Sequence, residues 1–144
     1  MKSFLLSLDY EILLFTDGSG STAETPCGWS FISLNRNGET RQQSGYLSNG
    51  TVNQSELMGL VQFLMYCEAT KTFPKKILVV SDSELTVKCG NKEWSINHNK
   101  GIWSLIDYHR LNNCQIDFVW VPRNSNDLSK IVDKESKEIR LRKK

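Results

Sequence analysis

Two short apolar runs, each followed directly by an aspartate, constrain the fold more than any other feature of this sequence. Residues 11–16 are stopped by Asp17 and its neighbours Gly18, Ser19 and Gly20, and residues 76–81 are followed by Asp82. Runs of this length are typical of buried strands, and the β-branched second run suits the centre of a sheet. We therefore expect both aspartates at the ends of buried strands.

Hydrophobic spacing predicts the other elements. Strands at residues 28–34 and 40–47, joined by a turn at 35–38, complete an opening set of three antiparallel strands. Helical spacing covers residues 53–69, and shorter helices are expected at 83–89, 101–111 and 131–141. Residues 90–100 lack a period and predict a loop, whereas 115–121 alternate as a strand. The predicted order is βββαβααβα.

Composition predicts an ordinary soluble protein of one domain spanning residues 1–144, with 39% hydrophobic and 24% charged residues. A net charge of +2 is too small to indicate a nucleic-acid partner by itself. The four widely spaced cysteines lack a zinc-binding pattern and predict reduced thiols. The apolar residues 4–8 are too few for a signal peptide, and no run reaches membrane-spanning length. We expect a cytoplasmic protein without membrane contact.

Three acids lie at positions that suggest a shared chemical role: Asp17, Asp82 and Glu56. Glu56 lies in the first turns of the helix at 53–69. If the first and fourth strands are neighbours, these carboxylates can converge on one spot. Clustered carboxylates repel one another unless a divalent cation lies between them. Oxygen ligands favour Mg²⁺ or Mn²⁺ over zinc, and two such ions about 4 Å apart can promote hydrolysis of a phosphodiester.

Each acid alone also has an ordinary explanation. Asp17 suits a turn, Glu56 suits a helix N-terminus, and Asp82 suits a cap for the helix at 83–89. All three explanations together are much less economical than one metal site. The pattern therefore favours a metal site.

Four motifs resemble those of the ribonuclease H family, in order and over nearly the whole chain. They are T-D-G-S from Thr16, T-V-N-Q-S-E-L from Thr51, S-D-S from Ser81 and W-V-P-R from Trp120. The second is similar to the family's T-N-x-R-x-E-L. The resemblance implies an α/β fold, ribonuclease H-like, with a five-stranded mixed sheet flanked by helices, three strands antiparallel and then two parallel.

The family's activity is the endonucleolytic hydrolysis of the RNA strand of an RNA/DNA hybrid with two Mg²⁺ ions or Mn²⁺, leaving 5′-phosphate and 3′-hydroxyl ends. By resemblance, Asp17 bridges both ions, and Glu56 and Asp82 hold the ion on the leaving-group side. We expect a monomer whose partner is the hybrid.

The family's fourth acid, in the motif A-D-x-L-A, has no clear counterpart. Asp133 in V-D-K-E-S is the preferred match, although Glu135 stands where the family has an apolar residue. A register anchored on Asn126 instead puts Lys130 at that position, which would cripple the second ion site. Asp127 is a weaker third candidate.

Small polar side chains suit the shallow minor groove of a hybrid and its 2′-hydroxyls. Ser19, Asn53 and Gln54 are candidates for this contact, and resemblance assigns Thr51 to a phosphate of the DNA strand. Val52 replaces an asparagine usual in the family.

Trp94 lies where some relatives place an aromatic against a DNA sugar, near Lys88 and Lys92, although packing explains it equally well. Asn124 stands where many relatives have a histidine that assists proton transfer or product release; His98 and His109 lie elsewhere. The other tryptophans, at positions 29, 103 and 120, fall in apolar patterns and predict core residues.

Two other readings compete with the enzyme. A catalytically weak ribonuclease H-like module, which binds hybrids or a protein partner without cutting, would follow if Lys130 replaced the acid. A junction resolvase of the same fold is disfavoured, because Thr51, Asn53 and Gln54 before Glu56 suit 2′-hydroxyl recognition.

Overall fold

A five-stranded mixed sheet forms the centre of the molecule, in the strand order β3-β2-β1-β4-β5. In the computed structural model, which describes residues 9–20 and 25–142, the strands are β1 (Ile12–Ser19), β2 (Thr25–Asn35), β3 (Thr40–Gly50), β4 (Lys76–Ser81) and β5 (Gln115–Trp120). The first three pair antiparallel, and β4 lies parallel to both β1 and β5. The expected fold class is confirmed. Residues 4–8, on which the absence of a signal peptide was predicted, lie outside the described residues.

Four helices of the described chain cover both faces of this sheet: α1 (Val52–Thr70), α2 (Glu84–Gly90), α3 (Lys100–Asn112) and α4 (Asp127–Arg142). One core, between the sheet and α1, α2 and α3, is built from Leu14, Phe31, Leu60, Leu64, Val87, Trp103, Ile106, Ile116 and Phe118. A second core joins α4 to the opposite face through Leu13, Phe15, Ile32, Leu78, Val80 and Val132. Among the described helices we find none with the length and apolar character needed to cross a membrane.

Two of the predicted boundaries that were wrong bear on the candidate acids. β1 continues to Ser19, so Asp17 lies inside the strand, opposite Ser30 of β2, rather than at its end. α4 begins at Asp127, four residues before the predicted start at 131. The side chain of Asn126 accepts a hydrogen bond from the backbone N–H of Ser129 at 2.8 Å, the pattern of a helix N-cap.

The tryptophans divide between core and surface. Trp29 and Trp103 are buried, as predicted. The prediction for Trp120 was wrong, since this last residue of the edge strand β5 keeps 48% of its surface exposed. Its indole N–H donates to the backbone carbonyl of Asp82 at 3.0 Å, so the ring lies beside one of the candidate acids.

Side chains cover the open edge of β5. The amide of Asn91 donates to Phe118 O at 2.8 Å and accepts from Phe118 N at 3.1 Å, as a neighbouring strand would. Arg110 donates from Nη2 to Ile116 O at 2.7 Å. These bonds satisfy backbone groups that a sheet edge otherwise presents to solvent or to another chain.

Gly28 allows α4 to lie directly on β2. A Cβ atom at this position would overlap the backbone carbonyl of Ser136 and come within 3.1 Å of Arg140 N. The helix therefore packs backbone against backbone here, and its distance from the sheet depends on the missing side chain.

Replacing Gly28 with alanine should push α4 away from the sheet. Overpacking of this kind costs roughly 1 to 3 kcal/mol, so we expect the free energy of unfolding, measured in urea, to fall by that amount. Gly101→Ala is the control, because a Cβ there meets nothing within 4 Å, and alanine inside a helix is neutral or stabilising. Equal stability of Gly28→Ala and wild type would contradict the close packing.

Candidate active site

The parallel pairing of β1 and β4 brings the two aspartates together. Phe15 lies opposite Val80, the last pair of this ladder. Continued by two residues, the same register places Asp17 level with Asp82, which follows directly after β4. The sheet topology therefore positions two acids that are far apart in sequence.

A second close approach adds Glu56. A Cβ atom on Gly18 would overlap Ser55 Oγ and lie 2.5 Å from Glu56 N. Because Gly18 has no side chain, the first turns of α1 rest against the end of β1. Glu56 thereby lies next to Asp17 although the two residues belong to different layers.

Asp17, Glu56 and Asp82 form one cluster, in which an oxygen atom from each carboxylate lies within 4.8 Å of the others. Asp17 is 3% exposed and Glu56 is 8% exposed. Asp17 Oδ2 and Glu56 Oε2 are buried and have no hydrogen-bond partner within residues 9–20 and 25–142. Buried oxygens without partners are costly, and a cation that accepted them as ligands would remove that cost.

Asp133 reaches the same place from α4. It is buried, and it lies close enough to Asp17 to share a proton with that carboxyl group. The other candidates for the fourth acid's position do not come into the cluster: Lys130 and Asp127 are exposed, one and nearly two turns earlier in the helix. The cap at Asn126 fixes the helix so that Asp133 faces inward.

The clustered acids resist ionisation. Burial, helped by the charge on Asp82 and by the contact with Asp133, raises the pKa of Asp17 to about 8. Burial and the charges of Asp17 and Asp82 also raise the pKa of Glu56 well above its ordinary value. The pKa of Asp82 is raised by burial, which outweighs the opposing charge of Arg123.

Asp133 behaves in the opposite way. Burial alone would raise its pKa, but hydrogen bonds with Asp17 and Lys137 and the charges of Lys137 and Arg123 lower it. Lys137 Nζ lies 3.0 Å from Asp133 Oδ2, and Arg123 Nη2 lies 3.3 Å from Asp133 Oδ1. The positive charges of Lys137 and Arg123 therefore favour the ionised form of Asp133.

Three contributors to this site were missed from the sequence: Arg123, Lys137 and Trp120. Lys137 follows Asp133 by four residues, a spacing that could have indicated the ion pair.

The carboxylate of Asp82 is not used as a helix cap, because the side chain of Ser83 accepts the backbone N–H of Thr86 at 3.2 Å. Asp82 therefore keeps its carboxylate for the cluster.

The residues proposed to contact a hybrid lie around the start of α1 and the end of β1. Thr51 and Gln54 cap the helix reciprocally: Gln54 N donates to Thr51 Oγ1 at 3.2 Å, and Thr51 N donates to Gln54 Oε1 at 2.9 Å. Asn53 is half-buried in the first turn, and Ser19 is buried. Thr51 and Gln54 thus stabilise the start of α1, a structural role that the sequence motif does not reveal.

Trp94 is 46% exposed, in the loop that follows α2. The two lysines beside it are paired with acids, Lys88 with Glu93 at 3.5 Å and Lys92 with Asp107 at 2.8 Å. Their charge is therefore partly neutralised. A small cavity of about 70 Å³ between this loop and α1 is lined by Asn53, Leu57, Ser95, His98, Asn99 and Trp103.

Asn99 was not singled out from the sequence. It precedes α3 with a left-handed backbone at φ 58°, and its side chain makes no capping hydrogen bond. The loop thus places Asn97 and Asn99 with Asn53 in the lining of the small cavity. Asn124, in contrast, is exposed beyond β5, also with a positive φ, of 56°.

A larger cavity, of about 470 Å³, lies elsewhere, between the start of β1 and the end of α1. Its lining includes Glu11, Glu39, Arg41 and Tyr66, and none of the clustered acids.

Residues 9–138 match the RNase H family. The chain belongs to this family. It is therefore a hydrolase of the ribonuclease H type, as predicted. It is 29% identical over 136 residues to the ribonuclease H of Ehrlichia ruminantium, covering 82% of this chain and 86% of that protein. It is 31% identical over 110 residues to that of Cereibacter sphaeroides, covering 74% and 70%.

Solved RNase H structures share the fold. LC11-RNase H1, crystallised in complex with an RNA/DNA hybrid, superposes with a TM-score of 0.79 at 22% identity, covering 91% of this chain and 97% of that one. RNase H1 from Halobacterium salinarum superposes with a TM-score of 0.72 at 18% identity, covering 89% and 96%. At these identities the likeness establishes the fold.

The raised pKa of Asp17 predicts how the metal-free protein responds to pH. Asp17 loses its proton near pH 8 in the folded protein and near 3.8 in a model peptide, so wild-type stability falls as the pH rises between these values. Asp17→Asn lacks this penalty. In urea with EDTA at pH 8, its free energy of unfolding should exceed that of wild type by roughly 1 to 3 kcal/mol.

At pH 4 this difference should nearly vanish. Asp107→Asn is the control. Burial opposes ionisation of Asp107, but hydrogen bonds with Lys92 and Arg110 lower its pKa, so this variant should be less stable than wild type. A less stable Asp17→Asn protein at pH 8 would refute the uncompensated cluster.

Proposed function

We propose that the chain is an endoribonuclease that hydrolyses the RNA strand of an RNA/DNA hybrid, using divalent ions held by Asp17, Glu56, Asp82 and Asp133. The observation that carries this proposal is the convergence of three acids within 4.8 Å, with two buried oxygens left without partners. Family membership and the hybrid bound by LC11-RNase H1 support the choice of substrate.

The donor set fits Mg²⁺ or Mn²⁺. Every candidate ligand is a carboxylate oxygen, and the described cluster contains neither the thiolate nor the imidazole that zinc prefers. When bound, the two ions expected for this family supply an activated water and neutralise the charge that develops on the departing oxygen. The raised pKa values of Asp17 and Glu56 mean that ion binding also releases protons.

The chain's own residues orient the acids. Gly18 lets α1 bring Glu56 to Asp17, and the indole N–H of Trp120 fixes the backbone of Asp82. Arg123 lies 3.8 Å from Asp82 and 3.3 Å from Asp133, so it links the acid after β4 to the acid on α4. These contacts restrict the carboxylates before substrate arrives, which lowers the entropy that binding must remove.

We propose that the hybrid is recognised beside α1, at the small cavity between this helix and the loop that follows α2. Asn53 precedes Glu56 by three residues, and its side-chain amide can bind a 2′-hydroxyl. The side-chain oxygen of Gln54 caps the helix, which leaves its amide nitrogen to bind a 2′-hydroxyl as well. Thr51 is assigned to a DNA phosphate, and Ser19 and Trp94 to the sugars. Because Lys88 and Lys92 are paired, we expect modest, salt-sensitive affinity.

Asn124 cannot carry a proton between substrate and solvent. Since general acid and base groups contribute roughly a hundredfold to ten-thousandfold in rate, we propose that turnover is slowed by this residue and that the carboxylates still support hydrolysis. We assign the same residue to contact with the substrate.

We also propose that the protein works as a monomer in a reducing, cytoplasmic compartment. The four cysteines support the reducing compartment, because all four are buried and none forms a disulfide. Burial also raises the pKa of Cys67 to about 12 and of Cys114 to about 11, which keeps both thiols protonated and unreactive.

A cleavage assay tests the proposed activity. The protein is incubated with Mg²⁺, or with Mn²⁺, and a hybrid labelled on its RNA strand, beside matched RNA/RNA and DNA/DNA duplexes. We expect cleavage of the hybrid's RNA alone. Asp17→Asn and Asp133→Asn should lower the rate by roughly a hundredfold or more, the order expected when a charge-stabilising group is removed from an active site.

Asp127→Asn is the matched control, since it removes an exposed acid from the same helix. It should cleave as wild type does. Folded protein that binds the hybrid but cleaves it with neither metal would overturn the proposal in favour of a binding module.

A further inference from the structure

The acids of this site are not equally supplied with positive charge. Buried oxygens of Asp17 and Glu56 lack partners within the described residues. Asp133, in contrast, has both carboxylate oxygens in ion pairs, Oδ2 with Lys137 at 3.0 Å and Oδ1 with Arg123 at 3.3 Å. Charge compensation is therefore concentrated on the acid that comes from α4.

Lys137 is built into the helix that carries Asp133. The two residues are four apart in α4, so the ammonium group reaches the carboxylate without any change in the backbone. The side chain of Lys137 remains 48% exposed, whereas that of Asp133 is 11% exposed. The ammonium can consequently leave for water, while the carboxylate stays where it is.

A divalent ion meets different competitors on the two sides of the site. At Asp17 and Glu56 it finds buried carboxylate oxygens that have no hydrogen-bond partner among the described residues. At Asp133 it must displace the Lys137 ammonium, and it is repelled by that group for as long as the contact persists.

We propose that Lys137 is a tethered cation that competes with a divalent ion for Asp133 and so sets the metal concentration at which that side of the site fills. The side formed by the other three acids fills first. This inference rests on the proposed function, because it takes the four acids to be metal ligands.

Lys137 also has a positive role in this scheme. Without it, Asp133 would be a further buried acid beside Asp17, and the cluster would repel itself more strongly. The ion pair with Lys137 therefore holds the carboxylate of Asp133 in position until an ion replaces the lysine.

Calorimetric titration of the metal-free protein with Mn²⁺, in the absence of nucleic acid, measures the competition directly. In Lys137→Met, the ion that depends on Asp133 should bind about twofold to fivefold more tightly, the range expected for removing one partly exposed ion pair. Lys137→Arg, which keeps the charge, should bind as wild type does.

Lys134→Met is the matched control. Lys134 lies on the same helix with its side chain 76% exposed, and pairs with Glu138 at 3.9 Å instead of with Asp133. It removes the same charge without touching the site, so Mn²⁺ binding should change little. The effect of Lys137→Met should disappear when Asp133 is replaced by asparagine, as a double-mutant cycle requires.

Three results would overturn the inference: equal Mn²⁺ binding by Lys137→Met and Lys134→Met, an effect that persists in the Asp133→Asn background, or the absence of any Asp133-dependent ion. Hybrid cleavage by the same variants separates the two proposals. Tighter Mn²⁺ binding without cleavage by any protein would sustain the role of Lys137 and refute the proposed activity, whereas cleavage with unchanged Mn²⁺ binding would do the reverse.

Discussion

The site depends first on how closely two helices approach the sheet. At Gly18 the backbone of β1 meets the first turns of α1, and at Gly28 the backbone of β2 meets α4. Each contact leaves no room for a methyl group, so each helix is held at a fixed height above the strands. Glu56 comes from one helix and Asp133 from the other, on opposite faces of the sheet. Without both approaches, Glu56 and Asp133 would lie farther from Asp17 and Asp82.

This packing creates a conflict between stability and function, which the molecule resolves unevenly. Burial beside other acids raises the pKa of Asp17 and Glu56, so their ionisation destabilises the folded protein when no cation is bound. Asp133 avoids this cost through Lys137 and Arg123, and its pKa is lowered. A bound cation would therefore stabilise Asp17 and Glu56, whereas Asp133 already has cationic partners.

Much of this was readable from the sequence, because strand order and helix phase decide which residues meet. Asp17, Glu56 and Asp82 were predicted to converge from their positions beside strands and in the first turns of a helix, and the structure brings them together. The ambiguity over Asp133, Lys130 and Asp127 could not be resolved in this way, since it depends on the residue at which α4 begins. That start is fixed by the Asn126 cap rather than by apolar spacing. Trp120 was misassigned because an apolar pattern does not reveal that its strand lies at the edge.

The covered edge of β5 has a consequence for the solution behaviour of the protein. A strand with free backbone groups invites another strand to add to the sheet, which is a common route to domain swapping and fibrils. Asn91 and Arg110 occupy those groups around Ile116 and Phe118 with side chains that no incoming strand can easily displace. The same bonds tie the loop that bears Trp94 to the strand that bears Trp120. Protection against aggregation and the position of the Trp94 loop beside β5 therefore depend on the same few hydrogen bonds.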